Sequence, residues 1–166
     1  MNEEQSLAVV AGLFMGEGWV GVRKFGTNGQ WWKVRLTIAN TDTEITKLSQ
    51  AVLGGSVNLS KNNPPDKPLY TLQIDNYRNV LRVLRRMRPF LVGRKALLAD
   101  LMVQLCESRI KNGSPLSIAQ SRFMGGRGGY TDSDLALIQK ISFLNRRGVH
   151  PESFYKDKGL LKDSGP

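Results

Sequence analysis

The stretch 7–18, LAVVAGLFMGEG, places the strongest constraint on how this chain can fold. If residues 7–16 are helical, small residues recur four positions apart on one face, at Ala8, Gly12 and Gly16. A glycine inside a helix costs roughly 0.5–1 kcal/mol relative to alanine, so the close approach of a second backbone is the natural reason for this stripe. The remaining faces are apolar as well, which predicts a helix that is buried on both sides.

A carboxylate, Glu17, closes the same stretch between Gly16 and Gly18. The C-terminal end of a helix dipole is negative, so an acidic side chain there is unfavourable unless a cation lies beside it. Glu17 is therefore a candidate metal ligand. The alternative is an ordinary buried helix that ends at a glycine before a strand, because small-residue stripes are common.

The charge of the chain narrows the class of its partner. Lys and Arg total 24 against 14 acidic residues, which gives a net charge of +10 and a pI near 10.1. So large a basic excess indicates that the chain binds a polyanion, above all nucleic acid. Membrane surfaces and ribosomes are the competing partners. Apolar runs fall short of the roughly 18 residues that span a membrane, and MNEEQS is not a basic-then-apolar signal. We expect no membrane partner.

Cysteine and histidine are too scarce for several kinds of site. Cys106 is the only cysteine and His150 is the only histidine. A single cysteine cannot form an internal disulfide, and the two residues together cannot supply a Cys/His zinc site within one chain. These features are typical of an intracellular protein.

Hydrophobic periodicity predicts an α+β domain in the order helix, two strands, helix, two strands, helix. Two hairpins that flank a central helix give a four-stranded antiparallel sheet with helices on one face. We expect one domain over residues 1–155, with a core at about 5–110 and a helical C-terminal extension at about 114–150. The glycine cluster at 125–129 is typical of a linker, and residues 156–166 of a flexible tail.

The other face of the predicted sheet collects polar and mainly basic side chains, because successive strand residues point to opposite faces. A twisted basic ribbon fits the major groove of DNA, where arginine and glutamine can read guanine and adenine edges. The alternative is a sheet face that is merely solvated. The residues predicted to contact DNA are Arg23, Lys33, Arg35, Thr37, Thr71 and Gln73.

The string AGLFMGEG resembles the motif of the LAGLIDADG homing endonucleases. Residues 11–13 match the centre of that motif, Gly16 matches its penultimate small position, and Glu17–Gly18 match its closing acidic–glycine pair. The chain departs from the motif at Met15, where an earlier acidic residue is usual. The resemblance implies an αββαββα core whose saddle-shaped sheet straddles DNA. A chain with a single motif resembles the homodimeric members, in which Ala8, Gly12 and Gly16 would pack against their own copies.

The resemblance also implies an activity and a cofactor. Family members hydrolyse phosphodiester bonds with Mg²⁺, and Mn²⁺ or Ca²⁺ can substitute in binding. Two copies of Glu17 would meet at the foot of the helix pair with the Gly16 carbonyl as a further ligand, since divalent cations relieve the repulsion between carboxylates. This implies a site-specific endonuclease that makes double-strand breaks at a long pseudo-palindromic DNA site. Its gene would be a mobile element of a bacterium, a phage or an organelle.

Two further segments resemble parts of the family's active site. Residues 40–42 resemble the segment that supplies a polar residue near the attacking water, which selects Asp42, with helix capping as its alternative role. Residues 89–95 resemble the segment that carries an active-site lysine. Counted from Pro89, Arg94 holds that position and Lys95 lies one beyond, and arginine could stabilise phosphate charge but not act as a proton-transfer base. Plain phosphate contact is the alternative for both.

Two rival functions remain open at this stage. Met15 and Arg94 favour a cleavage-deficient DNA-binding protein or an RNA maturase on the same fold, whereas the retained Glu17 favours the nuclease. A more remote alternative is a basic structural protein of a nucleoprotein particle, which would show no metal dependence and no preferred sequence.

Overall fold

The computed structural model of the chain describes residues 2–25, 31–60, 68–112 and 130–146. Its helices are α1 (Glu3–Glu17), α2 (Thr43–Leu53), α3 (Tyr77–Met87), α4 (Gly93–Lys111) and α5 (Asp132–Leu144), with a 3₁₀ turn at Arg88–Phe90. Its strands are β1 (Gly18–Phe25), β2 (Trp31–Asn40), β3 (Ser56–Ser60) and β4 (Leu69–Asp75). The α+β fold and the order of elements are as the periodicity predicted.

The four strands form one antiparallel sheet in the order β1-β2-β4-β3. Each hairpin contributes two strands, and β2 and β4 join the hairpins with Leu36 opposite Ile74. Because side chains alternate along a strand, the sheet has one apolar face and one polar face. The apolar face consists of buried side chains from β1, β2 and β4, namely Val20, Val22, Val34, Leu36, Ile38, Leu72 and Ile74.

Helices cover the apolar face and complete a single hydrophobic core. α1 contributes four buried side chains, at Leu7, Val10, Ala11 and Phe14. α4 contributes a longer buried row that includes Cys106, and burial raises the pKa of that thiol to about 12. Among the described residues, no helix is both long enough and apolar enough to cross a membrane.

Arginines of α3 hold the C-terminal end of α2. The Arg82 guanidinium donates to the Leu53 carbonyl at 3.0 Å, and Arg86 donates to the Val52 carbonyl at 2.9 Å. The last carbonyls of a helix have no intrahelical donor, and the negative end of its dipole favours a nearby cation. These two charges therefore stabilise helix packing.

A buried polar cluster attaches α5 to the core. Arg109 of α4 is 1% exposed and lies 3.6 Å from the carboxylate of Asp134, which is 0% exposed. The guanidinium also lies 4.0 Å from the Tyr130 ring, and the Tyr130 hydroxyl donates to the Trp32 carbonyl at 2.7 Å. Burial raises the pKa of Tyr130. Burial also raises the pKa of Tyr77, and the neighbouring Tyr130 hydroxyl raises it further. The predicted linker at 125–129 and tail at 156–166 lie outside the described residues.

Candidate nucleic-acid interface and metal site

The six residues predicted to contact DNA lie on the polar face of the sheet. Strand pairing fixes this placement, since Arg23 is opposite Lys33 and Thr37 is opposite Gln73. None of the six belongs to the buried core, and each is exposed or half-buried. The structure therefore gathers Arg23, Lys33, Arg35, Thr37, Thr71 and Gln73 on one surface.

The same face holds an acidic residue that the sequence analysis missed. Asp75 ends β4 directly opposite Arg35, whose Nε donates to Asp75 Oδ1 at 2.8 Å. Gln73 Nε2 donates to Asp75 Oδ2 at 2.6 Å, and Lys33 Nζ lies 4.0 Å from the same oxygen. The alternation that selected Thr71 and Gln73 continues to Asp75, so strand period alone could have found it.

Glu17 is the last residue of α1, and Gly18 is the first residue of β1. The Glu17 side chain is exposed, the last turn of α1 holds no basic residue, and no described residue forms a salt bridge with it. A Cβ at Gly18 would lie 2.5 Å from the Phe14 carbonyl oxygen, so this position must remain glycine. α1 is therefore followed directly by β1 with no intervening loop, and the Glu17 carboxylate lies at the junction between them.

The donors at this junction fit a hard divalent cation in chemistry but not in number. A carboxylate and the Gly16 carbonyl are oxygen ligands of the kind that Mg²⁺ and Ca²⁺ prefer. Within the described part of the chain, however, no three Asp, Glu, His or Cys side chains cluster to hold a metal. The described residues of one chain therefore do not form a complete cation site at this junction.

Lys95 extends from the first turn of α4 to the same junction. Its ammonium donates to the Gly18 carbonyl and lies 5.0 Å from the centre of the Phe14 ring. Burial lowers the pKa of Lys95, and the positive charge of Arg94 lowers it further. The neighbouring Arg94 is exposed. Of the two basic residues predicted for this role, the structure brings Lys95 to the end of α1.

Asp42 occupies the N-cap of α2. Its Oδ1 accepts from the backbone N–H groups of Glu44 at 2.8 Å and Ile45 at 3.4 Å. The described contacts do not join Asp42 to Glu17. The capping role is thus observed, and the role near an attacking water remains a prediction.

One face of α1 is left open. Ala8 is half-buried, Gly12 and Gly16 are exposed, and a Cβ built at either glycine would meet nothing within 4 Å. Val9 beside them is 45% exposed, and Leu13 is only partly buried. The two glycines therefore do not serve packing against the described residues, and in the single chain α1 is buried on one side only. We call this set of Ala8, Val9, Gly12, Leu13 and Gly16 the open stripe.

Solved structures that resemble this chain in fold include several homing endonucleases. I-CvuI in complex with its target shares 18% identity at a TM-score of 0.60, over 96% of this chain and 98% of that chain. The archaeal intron-encoded I-Vdi141I complexed with DNA shares 16% identity at a TM-score of 0.61, over 90% of each chain. The LAGLIDADG homing endonuclease I-LtrWI, bound to target DNA, shares 20% identity at a TM-score of 0.59, over 99% of this chain and 52% of that chain.

These similarities confirm the fold that the AGLFMGEG string implied. The chain has the fold of the LAGLIDADG homing endonucleases. By sequence, it matches no protein-family model and no curated protein.

Proposed function

We propose that the chain is a LAGLIDADG homing endonuclease that cuts both strands of a specific DNA site as a homodimer. The observation that carries this proposal is the junction of α1 and β1. Glu17 lies where the open stripe ends and the strand that bears Arg23 begins. A carboxylate at that point connects a surface suited to a second copy with a surface suited to DNA.

The open stripe supports the homodimer. Glycines without Cβ atoms let two helix backbones approach closely, and the apolar side chains of Val9 and Leu13 would leave water on pairing. A two-fold axis along this face brings the two copies of Glu17 together. It also places two polar sheet faces side by side, which suits a long site with two related halves.

The metal would be held by Glu17 and the Gly16 carbonyl of each copy. A bound divalent cation supplies an activated water and neutralises charge on the phosphate that is attacked. Glu17 is suited to this role because no described basic side chain competes for it. The repulsion between two such carboxylates makes the site favour a cation.

Lys95 is the basic residue that we assign to the scissile phosphate. Its ammonium is held at the Gly18 carbonyl, one residue beyond Glu17. A positive charge placed there in advance stabilises the extra negative charge that develops on phosphate during hydrolysis. Arg94, Lys33 and the other cations then serve the neighbouring phosphates and bases.

Cleavage of a randomised library of duplex sites tests the proposal. Wild type should cut one family of related sites with Mg²⁺ and none with EDTA, and Glu17→Gln should bind the same sites without cutting them. Glu44→Gln, which removes an exposed carboxylate from α2, is the matched control and should cut normally. Normal cutting by Glu17→Gln would remove the metal assignment.

A cleavage-deficient DNA-binding protein or RNA maturase is the second candidate. It is favoured by Met15 and by the arginine at the position of the family's lysine. Tight binding to one family of sites without cuts under any divalent metal would select this candidate, and RNA binding would then be measured next.

A further inference from the structure

Asp75 is an acidic side chain on the surface that the proposed function turns toward DNA. It ends β4 on the polar face, directly opposite Arg35 of β2. A carboxylate there repels the phosphates of a bound duplex, so it weakens affinity wherever it is not compensated. A surface that served affinity alone would not carry it.

Three of the six predicted DNA-contacting residues converge on this one carboxylate. Arg35 donates from Nε to Oδ1 at 2.8 Å and from Nη2 to Oδ2 at 3.4 Å. Gln73 Nε2 donates to Oδ2 at 2.6 Å, and Lys33 Nζ lies 4.0 Å from Oδ2. Hydrogen bonds to a charged group are short and directional, and the two-pronged pair with arginine fixes the plane of the guanidinium.

The backbone around Asp75 is itself fixed. On one side, β4 pairs with the central strand β2 up to this residue. On the other, Asn76 has a φ of 67° and caps α3 through a hydrogen bond from the Asn79 N–H at 2.9 Å. Asn tolerates this left-handed conformation better than most residues, so strand and helix are joined without a loop. The carboxylate is therefore held on a rigid element.

This arrangement determines which atoms of Arg35 and Gln73 remain for DNA. A carboxylate only accepts hydrogen bonds, so it turns the amide nitrogen of Gln73 toward itself and leaves the Gln73 carbonyl oxygen for a base. Arg35 uses Nε and Nη2 on Asp75, which leaves its Nη1 edge. Without Asp75, both side chains would gain rotamers, and Arg35 could turn to a phosphate instead of a base edge.

We propose that Asp75 is a positioning residue that determines sequence specificity, because it holds Arg35 and Gln73 in the orientation that reads base edges. The inference rests on the proposed function and adds to it a residue that trades affinity for discrimination. It predicts that removing the charge strengthens binding to random DNA and weakens the choice among sequences.

The test is selection of bound duplexes from a randomised library, in EDTA so that no cutting occurs and at one fixed salt concentration. Asp75→Asn keeps the shape and removes the charge. It should bind a random duplex a few-fold more tightly and lose about tenfold in preference at one or two positions of each half-site. Arg35→Lys, which keeps the charge without the two-pronged pair, should lose preference at the same positions.

Asp100→Asn is the matched control. Asp100 accepts from Arg88 Nε at 2.6 Å and Nη2 at 3.0 Å, the same kind of pair on the helical side of the domain. It should leave both random binding and base preference at the wild-type values. Both substitutions remove one negative charge, so a difference between them shows that the effect depends on the position of Asp75 and not on net charge.

The outcomes are distinguishable. Wild-type base preference in Asp75→Asn would overturn the inference and leave the endonuclease proposal intact, whatever the preference of Arg35→Lys. A wild type that prefers no sequence would overturn both. If Asp75→Asn binds no duplex because it fails to fold, Asp75→Ser, which also removes the carboxylate, decides, and unchanged base preference in that variant overturns the inference.

Discussion

Lys95 shows how burial tunes a charge at the proposed active site. Its ammonium lies between the Phe14 ring and the Gly18 carbonyl, and both burial and the nearby Arg94 lower its pKa. The unfolded chain therefore holds this proton more tightly than the folded chain. The contribution of Lys95 to the free energy of unfolding rises with pH as the pH passes from its lowered pKa toward 10.5, the ordinary value.

Replacing Lys95 should impair cleavage far more than binding. We expect Lys95→Met to lower the single-turnover cleavage rate by about a hundredfold with nearly unchanged affinity, since removal of one preorganised charge typically has that effect. Arg94→Met removes the adjacent exposed cation and serves as the control, with only a few-fold loss. A larger loss in Arg94→Met than in Lys95→Met would return the role to Arg94.

The pH profile gives a second measurement on the same residue. Because its pKa is lowered, Lys95 loses its charge at a lower pH than an exposed lysine would. Any activity of Lys95→Arg should therefore persist to higher pH than wild-type activity, since arginine stays protonated. If the activities of wild type and Lys95→Arg fall at the same alkaline pH, the charge of Lys95 is not required for cleavage.

α1 is an element with two different faces. Leu7, Val10 and Phe14 pack into the core, whereas the open stripe meets no other part of the described chain at its glycines. Helix-interior glycines are unfavourable, and none of the described residues packs against Gly12 or Gly16 to compensate. In the proposed homodimer, the close approach of a second α1 supplies that compensation.

Gly12→Leu should separate the dimer while strengthening the helix. The new side chain enters open space in the monomer but would push two paired backbones apart, and leucine is a better helix former than glycine by roughly 0.5–1 kcal/mol. Sedimentation over a concentration series should show a monomer for Gly12→Leu at concentrations where wild type is a dimer. Ala51→Leu, at an exposed position of α2, is the control and should remain dimeric. A dimeric Gly12→Leu would exclude this interface.

The attachment of α5 depends on a charge pair that water does not reach. Asp134→Ala should destabilise the fold by about 3 kcal/mol or more, because it leaves the buried Arg109 charge without its carboxylate and removes a capping box with Thr131. Urea unfolding measures this loss. Asp132→Ala, in the same turn but exposed, should change stability by no more than about 0.5 kcal/mol. Equal losses of stability in the two variants would show that Asp134 stabilises only the N-terminus of α5 and that its pair with Arg109 contributes nothing.

At the scale of the whole fold, the described basic residues include one group that stabilises the helical side and another that lies on the polar sheet face. Arg82 and Arg86 stabilise the end of α2, and Arg85 and Arg88 pair with Glu107 and Asp100. The cations of the polar sheet face lie on the opposite side of the sheet from the helices. Net charge alone therefore overstates the surface that can meet DNA.

DNA affinity should fall steeply with salt, with a logarithmic slope of about −0.9 for each phosphate contacted. Lys33→Gln should make that slope shallower by about one unit, because Lys33 is an exposed cation of the polar face. Arg85→Gln, on the helical side, should leave the slope unchanged. Titrations at four or five salt concentrations distinguish the two, and equal slopes in all three proteins would place DNA elsewhere.

The order of elements, the four-stranded sheet and the polar face could be read from the sequence because they follow local rules. A period of two assigns Val34 and Arg35 to opposite faces, and a period of 3.6 assigns Ala8, Gly12 and Gly16 to one stripe. The candidate metal ligand followed from the same stretch, since an acidic residue at the negative end of a helix dipole is unfavourable without a cation.

Contacts between segments that are distant in sequence could not be predicted from local sequence patterns. Only the packing of α4 against the α1–β1 junction distinguishes Lys95 from Arg94, since adjacent helix residues point about 100° apart and one must face away. Arg109 gives no sign of burial in the sequence, because its carboxylate comes from α5, 25 residues further along the chain. Asp75 acquires its partners only when β4 aligns with β2 in register. Sequence sets which groups share a face, and the tertiary fold sets which of them meet.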